Sequence, residues 1–142
     1  MDPRKTVQYD GIHFRTSEGH VDASIVYSKT VAGGSVSVGK AVRLTGNRIF
    51  GLATTGTEVA GRLVLVESDG VCTVQVGGFM ELPAAAAIPF GSRVVGGVVA
   101  GNIRALAAPS ATYVASEGTE AAAAKGQVWD GSVPASIVVY FP

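Results

Sequence analysis

One segment of the chain has the spacing of a phosphate-binding loop. Residues 34–41 read Gly-Ser-Val-Ser-Val-Gly-Lys-Ala, which fits that loop up to its last position. There Ala41 stands where the loop needs the Ser or Thr hydroxyl that binds Mg²⁺. Such a loop must also open a helix, whereas residues 41–45 (Ala-Val-Arg-Leu-Thr) predict a β-strand. We therefore expect no nucleotide site in this segment.

The first part of the chain holds a cluster of imidazole and carboxylate side chains that could ligate a metal. A spacing of seven residues places its two histidines on opposite faces of a continuous strand. A turn at residues 18–19 (Glu-Gly) would change that and bring the cluster together. The residue types also fit a polar surface loop, which is what we expect, with no metal. The cluster comprises Asp10, His13, Glu18, His20 and Asp22.

The side chains available for catalysis are few. Cys72 is the single cysteine, which excludes an intramolecular disulfide, and it lies in an alternating segment, residues 71–76, that predicts a buried strand position. No Gly-x-Ser-x-Gly sequence occurs, and two histidines with scattered carboxylates make a poor set for general acid–base work. We predict a protein that is not an enzyme and binds no cofactor.

Composition narrows the class of protein further. The 142 residues carry 11 basic and 11 acidic side chains, only 15% of residues are charged, and 47% are hydrophobic. Such a chain is not disordered, and it offers no broad basic face for nucleic acid. No run of about 18 apolar residues predicts a membrane helix. No apolar stretch follows the first basic residues, so we expect synthesis in the cytosol without a secretory signal.

The abundance of β-branched residues and the regular spacing of turn signals predict an all-β fold. Val, Ile and Thr together number 38, against eight Leu and Met, and β-branched side chains favour pleated strands. Turn pairs rich in Gly, Asn and Asp recur about every 8 to 15 residues, which is typical of a compact β-sandwich or barrel-like domain of short strands. The clearest hairpins have their turns at residues 46–47 (Gly-Asn) and 68–70 (Ser-Asp-Gly). Later strands are predicted at 93–99, 103–107, 112–115, 126–129 and 136–141. At most one short helix is expected, near 119–125.

The chain divides into a polar beginning and a β domain. Residues 1–48 have a net charge of +3, from seven basic and four acidic residues, and the remainder therefore has −3. We assign residues 1–38 to an N-terminal arm or to first strands, two possibilities that the sequence does not separate. Residues 39–142 form the β domain. Its segments 39–78 and 91–141 are similar enough in Gly and Val spacing to suggest two related β units.

Two groups of residues are candidates for contact with a partner or between subunits. Aromatic side chains in predicted late strands are most often core residues, but Trp129 and Tyr140 could instead lie at a subunit contact. The polar-aromatic beginning could reach onto a partner. The candidate contact residues are Val7, Tyr9, Ile12, Phe14, Arg15, Trp129 and Tyr140.

Several short motifs together resemble a known family. They are residues 39–44 (Gly-Lys-Ala-Val-Arg-Leu), 49–53 (Ile-Phe-Gly-Leu-Ala), 74–78 (Val-Gln-Val-Gly-Gly) with Leu82-Pro83, 91–94 (Gly-Ser-Arg-Val), 126–131 (Gly-Gln-Val-Trp-Asp-Gly) and 137–141 (Ile-Val-Val-Tyr-Phe). In this arrangement, from Gly39 to the end, the chain resembles the small head-decoration (capsid cement) proteins of tailed bacteriophages. The resemblance implies a compact β domain, commonly a homotrimer, that sits on the outer capsid and ties subunits of the major capsid protein together.

The same resemblance implies where the protein resides, and other functions stay open beside it. The protein would be made in the cytoplasm of a bacterial host and reside on the outer surface of the virion capsid, without catalytic residues and without nucleic-acid or membrane partners. The residues before Gly39 would be a capsid-gripping arm or an extra pair of strands. Alternatives are another phage structural β domain (tail tube, fibre or head–tail joining) or a module that binds a glycan or other small ligand through Trp129 or Tyr113.

Overall fold

The computed structural model describes residues 15–112 and 114–142 and confirms the all-β prediction. It contains nine strands and one α-helix in this part of the chain. No helix among these residues is long and apolar enough to cross a membrane. The strands are β1 (Arg15–Val21), β2 (Ala41–Gly46), β3 (Ile49–Leu52), β4 (Gly61–Val66), β5 (Val71–Leu82), β6 (Val94–Gly96), β7 (Ile103–Ala105), β8 (Gln127–Asp130) and β9 (Ile137–Phe141); the helix is α1 (Ala115–Ala123).

The first five strands close into a small barrel. Antiparallel ladders join β3 to β2, β2 to β4, β4 to β5 and β5 to β1, and a short parallel pairing of β1 with β3 completes the ring. Closure removes most of the free strand edges that an open sheet would expose. A cluster of apolar side chains fills the interior: Ile25, Val42, Phe50, Leu63, Val66, Cys72 and Val74.

Strand β5 continues out of the barrel into a second sheet. Its first half pairs with β1 and β4, whereas residues 78–82 pair with β9, which in turn pairs with β8. The change of partner strand coincides with Gly78, whose φ of +90° is a conformation that glycine adopts at little cost. The buried Gln75 side chain donates hydrogen bonds to the carbonyls of Gly77 and Phe79, at 3.2 and 2.8 Å, on either side of Gly78.

A second apolar core lies beneath this sheet. It is formed by the inward side chains of β5, β8 and β9 together with β6, β7 and their loops. Met80, Leu82, Val139 and Phe141 are all buried, and residues between them on the same strands face outward. This alternation follows from the pleat of a strand, in which successive side chains point to opposite faces.

Both predicted hairpins are present. The turn at residues 68–70 joins β4 to β5, with Gly70 at φ +84° and the Asp69 carboxylate accepting a hydrogen bond from the Val71 N–H. The other turn, between β2 and β3, lies one residue later than predicted. Gly46 still pairs with Ile49, and Arg48 takes the left-handed conformation with φ of +58°. That conformation is uncommon for a residue with a side chain.

One short helix is present, as predicted, but its predicted bounds were wrong. Helix α1 begins at Ala115 instead of Thr119, so the predicted strand at 112–115 is not formed. Thr119 is not a cap: its hydroxyl donates a hydrogen bond to the Ala115 carbonyl one turn earlier. The helix ends at Ala123 because Lys125 exchanges two backbone hydrogen bonds, each 3.0 Å, with Val94 of β6.

The structure describes part of the first 38 residues and all the strands of the two proposed β units. Residues 15–21 form β1, a full member of the barrel, and residues 1–14 lie outside the described part of the chain. Each proposed unit contains two hairpins: β2–β3 and β4–β5 in the first, β6–β7 and β8–β9 in the second. The division at residue 38 and a true duplication stay predictions.

Candidate interaction surface

The segment with phosphate-loop spacing packs against the barrel as a connecting turn. Gly34 (φ +88°) ends a short 3₁₀ turn, and a Cβ on it would lie 1.9 Å from the Val66 carbonyl oxygen. Only glycine permits this close approach to β4. The predicted strand follows at Ala41, where β2 begins. Gly34 therefore serves chain packing, and Gly39 serves the turn before β2 through its φ of +92°.

Three members of the imidazole and carboxylate cluster, Glu18, His20 and Asp22, lie within the described residues. Glu18 and His20 lie on β1, which runs straight through residues 18–19, so the alternative with a turn at this position was wrong. His13 and Asp10 are outside the described residues. Within residues 15–112 and 114–142, no group of three His, Cys, Asp or Glu side chains could hold a metal ion.

Asp22 instead fastens the loop after β1 to the edge of β3. Its carboxylate accepts hydrogen bonds from the N–H and the hydroxyl of Ser24, and the Ser24 hydroxyl accepts one from the Leu52 N–H at 2.9 Å. Burial raises the pKa of Asp22, but the hydrogen bonds from Ser24 and Thr45 and the nearby Arg43 charge outweigh burial and leave that pKa below its usual value of 3.8. The arrangement stabilises the barrel and leaves the ionised carboxylate occupied by these donors.

Cys72 occupies the barrel interior, as its alternating neighbours predict. Its side chain is 1% exposed and belongs to the barrel cluster. Burial raises the pKa of the thiol, because the charged thiolate is poorly solvated inside the barrel, while a backbone hydrogen bond from Gly19 acts weakly in the opposite direction. A neutral buried thiol is a poor nucleophile. Its position is that of a small apolar core residue.

Trp129 and Tyr140 come together on the outer face of the second sheet. Both pack against Phe79: the Trp129 ring meets it edge to face with centroids 4.9 Å apart, and the Tyr140 ring lies tilted at 5.0 Å. Trp129 is 60% exposed, and Tyr140 and Phe79 are half-buried. We call these three side chains the aromatic surface. An exposed aromatic cluster of this kind is typical of protein interfaces.

A β-bulge gives Trp129 its orientation. Val128 pairs with Val139 and Asp130 pairs with Val138, so Trp129 is an extra residue in the ladder between β8 and β9. Such a bulge turns the extra side chain away from its regular position. Val128 points into the core at 2% exposure, and Trp129 reaches the Phe79 ring on the other face.

Phe79 is the contact residue that sequence analysis missed. It follows Gly77 and Gly78, which read as the end of a strand, so the continuation of β5 was not foreseen. The alternation of buried Met80 and Leu82 with Phe79 and Glu81 was the signal that could have placed Phe79 on the outer face.

A further exposed aromatic residue lies beside β8. Residues 88–92 run along the edge of this strand, held by hydrogen bonds that include Ile88 N–H to the Gly131 carbonyl and Gly91 N–H to the Val128 carbonyl. Gly131 allows this contact, since a Cβ there would lie 1.7 Å from the Ile88 carbonyl oxygen. Phe90, within the segment, is 85% exposed. An apolar side chain this exposed is a further candidate for contact with a partner.

The remaining sequence candidates fall into two groups. Arg15 starts β1, is exposed, and its guanidinium donates a hydrogen bond to the Pro142 carbonyl, two residues beyond Tyr140. Arg15 therefore lies close to the carboxyl end of β9. The other four, Val7, Tyr9, Ile12 and Phe14, lie outside the described residues.

A groove of about 930 Å³ lies beside the carboxyl end of β9 and is lined in part by Tyr140, Phe141 and Pro142. One wall is Ser17 and Glu18 of β1, another is the β2–β3 hairpin with Arg48, and Tyr140 links the groove to the aromatic surface. Its apolar lining includes Leu44, Phe50, Val59, Ala60, Val76 and Phe141, and its charged lining comprises Glu18, Arg48, Glu58, Arg93 and Lys125. Lys125 and Glu58 form an ion pair, and Arg93 donates to the Ala124 carbonyl.

Comparison with known proteins gives a structural likeness and no match in sequence. No family model matches the chain, and no curated protein matches it in sequence. Among solved structures, the chain is similar to the N base of head fiber gp8.5 of bacteriophage phi29, with a TM-score of 0.52 and 11% sequence identity. The likeness covers 92% of this chain and 95% of that one. It shows that the two chains share an all-β fold across nearly their whole length.

Proposed function

We propose that the chain is a non-enzymatic structural protein of a tailed-phage virion that binds the outer surface of the assembled head and stabilises it as a decoration protein. The observation that carries the proposal is the fold likeness to a phage head fiber base over 92% of this chain. The motif resemblance to head-decoration proteins points in the same direction. Its partners would be the major capsid protein and further copies of itself in a homotrimer.

The aromatic surface suits attachment to a protein lattice. Trp129, Tyr140 and Phe79 offer large apolar area on a rigid sheet, and aromatic side chains dominate the energetics of many interfaces. A module that attaches at many equivalent sites can rely on modest individual contacts, because linked copies bind with much higher avidity.

The second candidate is the base of a head fibre. The similar solved structure is itself described as the base of such a fibre, and this observation favours the alternative as much as decoration. In this case the same aromatic surface would attach the chain to the head, and a distal fibre would extend from it. The two functions share the partner and differ in copy number and in what projects outward.

Reconstitution on purified heads tests the proposal. Heads of the encoding phage, prepared without the protein, are mixed with it, sedimented and imaged by cryo-electron microscopy. Decoration predicts compact density at regular lattice sites over the whole head and heads that retain their DNA to a higher temperature. A fibre base predicts few copies, each at the foot of a fibre in native virions. Rings or tubes formed by the protein alone, with no density on heads, would reject both candidates.

A further inference from the structure

The turn between β6 and β7 exposes two adjacent apolar side chains. Val98 is 82% exposed and Val99 is 59% exposed. The turn is held by hydrogen bonds from the Gly97 N–H to the Asn102 carbonyl, at 2.8 Å, and from the Asn102 N–H to the Val99 carbonyl, at 3.0 Å. Tight turns are usually formed by Gly, Pro, Asn, Asp and Ser. Two valines at the tip of this one are a first sign of a contact surface.

An apolar hollow of about 310 Å³ lies beside this turn. Its lining consists of residues 85–88 (Ala-Ala-Ala-Ile), 97–99 (Gly-Val-Val) and 102–105 (Asn-Ile-Arg-Ala). The two sides are tied together, because the Ile103 N–H donates to the Pro83 carbonyl at 2.9 Å and Ala84 forms a parallel β-bridge with Ile103. We call this feature the alanine hollow.

The lining of the alanine hollow presents no unpaired charge. Arg104 is its one charged residue, and the guanidinium donates hydrogen bonds to the Glu120 carboxylate and, at 3.1 Å, to the Ala105 carbonyl. A charge that loses its partner on burial is costly, whereas Arg104 keeps both partners when the hollow is filled. An apolar side chain is therefore the group that fits.

Phe90 offers such a side chain next to the hollow. It follows Ile88, which lines the hollow, by two residues, so their Cα atoms lie within about 7 Å of each other. The N–H groups of Ile88 and Gly91 donate to the carbonyls of Gly131 and Val128, at 3.0 and 2.7 Å, and so hold the segment in place. The Phe90 side chain is 85% exposed, so it projects from this segment and does not fill the hollow of its own molecule.

The alanine hollow has room for the ring of Phe90. A cavity of about 150 Å³ with apolar walls is enough to bind benzene, and the hollow has about twice that volume. One chain thus carries a projecting ring and, beside it, a hollow that fits the ring. This is the self-complementarity of a two-fold contact, in which each copy gives and receives the same group.

The exposed apolar area at this surface is large enough for a dimer. Phe90, Val98 and Val99 together expose roughly 400 Å², and the exposed alanines at 85–87 add to it. A two-fold contact uses the surface of both copies, so it buries on the order of 1,000 Å², which is about the least that a specific interface needs.

We infer that two copies of the chain pair with Phe90 of each inserted in the alanine hollow of the other. Because the ring and the hollow are neighbours, a single docking event seats both rings. The inference concerns the protein alone. The contact is separate from the homotrimer and from the attachment to a phage head proposed above, so each can fail without the other. Where trimers also form, this contact joins them in pairs.

Light scattering of the full chain and three variants measures the pairing. The wild-type mass should be an even multiple of the chain mass, about 29 kDa for a single pair of 14.4 kDa chains, and Phe90→Ala should halve it. Ala86→Lys should also halve it, since the added charge would be buried in the hollow. Val36→Ala, which truncates a 72% exposed valine elsewhere, should keep the wild-type mass. All three positions are exposed, and circular dichroism checks that the variants fold.

Mixed disulfides identify which residues meet. Phe90→Cys is mixed with affinity-tagged Ala86→Cys and oxidised gently. A disulfide between the two variants should form, because insertion brings residue 90 of one copy within the Cα separation of about 4.4–6.8 Å that a disulfide needs from residue 86 of the other. The Phe90 ring that the tagged variant retains still enters its partner's hollow. Cys72 is 1% exposed and takes no part. Val36→Cys mixed with Ala86→Cys is the control and should remain unlinked.

Three results would overturn the inference. A full chain that is monomeric would leave the hollow to the capsid or to another part of the same chain. An odd multiple of the chain mass, or a mass that Phe90→Ala leaves unchanged, would place assembly on another surface. A mass halved by Phe90→Ala but not by Ala86→Lys, with no mixed disulfide, would place the Phe90 ring outside the hollow.

Discussion

The Phe79 and Trp129 rings meet edge to face, with centroids 4.9 Å apart and an angle of 85° between their planes. The contact joins β5 to β8 across the intervening strand β9, on the face that looks away from the core. It depends on the bulge in β8 and on the continuation of β5 past Gly78. Two local departures from regular strand geometry thus build the aromatic surface.

Truncation of Trp129 should reduce attachment without unfolding the protein. Trp129→Ala removes a 60% exposed side chain, so the free energy of unfolding should fall by about 1 kcal/mol or less, the typical value of an aromatic pair. Binding to heads should weaken at least about tenfold, because exposed aromatic anchors carry much of the interface energy. The control is Val26→Ala, a 69% exposed apolar residue on the loop after β1. Equal loss in both variants would show that the aromatic surface is not the contact.

The Cys72 thiol should be unreactive in the folded protein. Burial raises its pKa, so the thiol stays protonated at a pH where an exposed cysteine is partly ionised. A thiol reagent such as Ellman's reagent at pH 8 should label it only as fast as the protein unfolds. The variant Val26→Cys provides an exposed thiol for comparison. Rapid labelling of Cys72 in native buffer would contradict the buried position.

Asp22 should contribute stability at neutral pH that disappears in acid. Its folded-state pKa lies below 3.8, so its contribution is fully present above that value and is lost as the pH falls through the folded-state pKa. Asp22→Ala should lower the free energy of unfolding by about 1 kcal/mol at pH 7, from the lost Ser24 hydrogen bonds.

Urea unfolding of wild type and variant between pH 2 and 7 provides the measurement, with the exposed Glu67→Gln as control. The difference between wild type and Asp22→Ala should shrink below about pH 4. A difference that grows as the pH falls would have the wrong sign for a lowered pKa.

Gln75 should stabilise the part of β5 where the partner strand changes from β1 to β9. Gln75→Leu keeps the size of the side chain but removes the hydrogen bonds that the Gln75 amide donates to the carbonyls of Gly77 and Phe79, which should cost about 1–3 kcal/mol. Gln127→Leu is the matched control, because Gln127 is an exposed strand residue. Thermal unfolding should show a clear drop in the midpoint for Gln75→Leu and little change for Gln127→Leu. Equal midpoints for the two variants would show that the buried amide is dispensable.

Local features of the fold were predictable from the sequence, and its closure was not. The turn at residues 68–70 and the strands on either side follow from Gly70 and the β-branched residues around it. The parallel contact of β1 with β3 joins residues almost 30 positions apart through two residue pairs, and no local pattern encodes it. The helix start was misplaced because Thr119 resembles a cap, whereas the loop before the helix is held by Glu117 bonded to Ser110.

The aromatic residues of the candidate site were predictable from the sequence, whereas their arrangement was not. Trp129 and Tyr140 were singled out as aromatic residues in late strands, and the fold brings them together through Phe79. The bulge that exposes Trp129 depends on how β8 pairs with β9, which is a tertiary property. The groove is lined by residues of β1, of the β2–β3 hairpin and of β9, which are far apart in the sequence, so no local pattern predicts it.

The most direct test of the proposed function is the binding of purified protein to assembled heads that lack it. A sedimentation titration should show saturable binding to heads and none to free major capsid subunits, with Trp129 fluorescence shifting to shorter wavelength as its 60% exposed side chain is buried. Protein that stays in the supernatant at every concentration, with unchanged fluorescence, would contradict a role on the phage head.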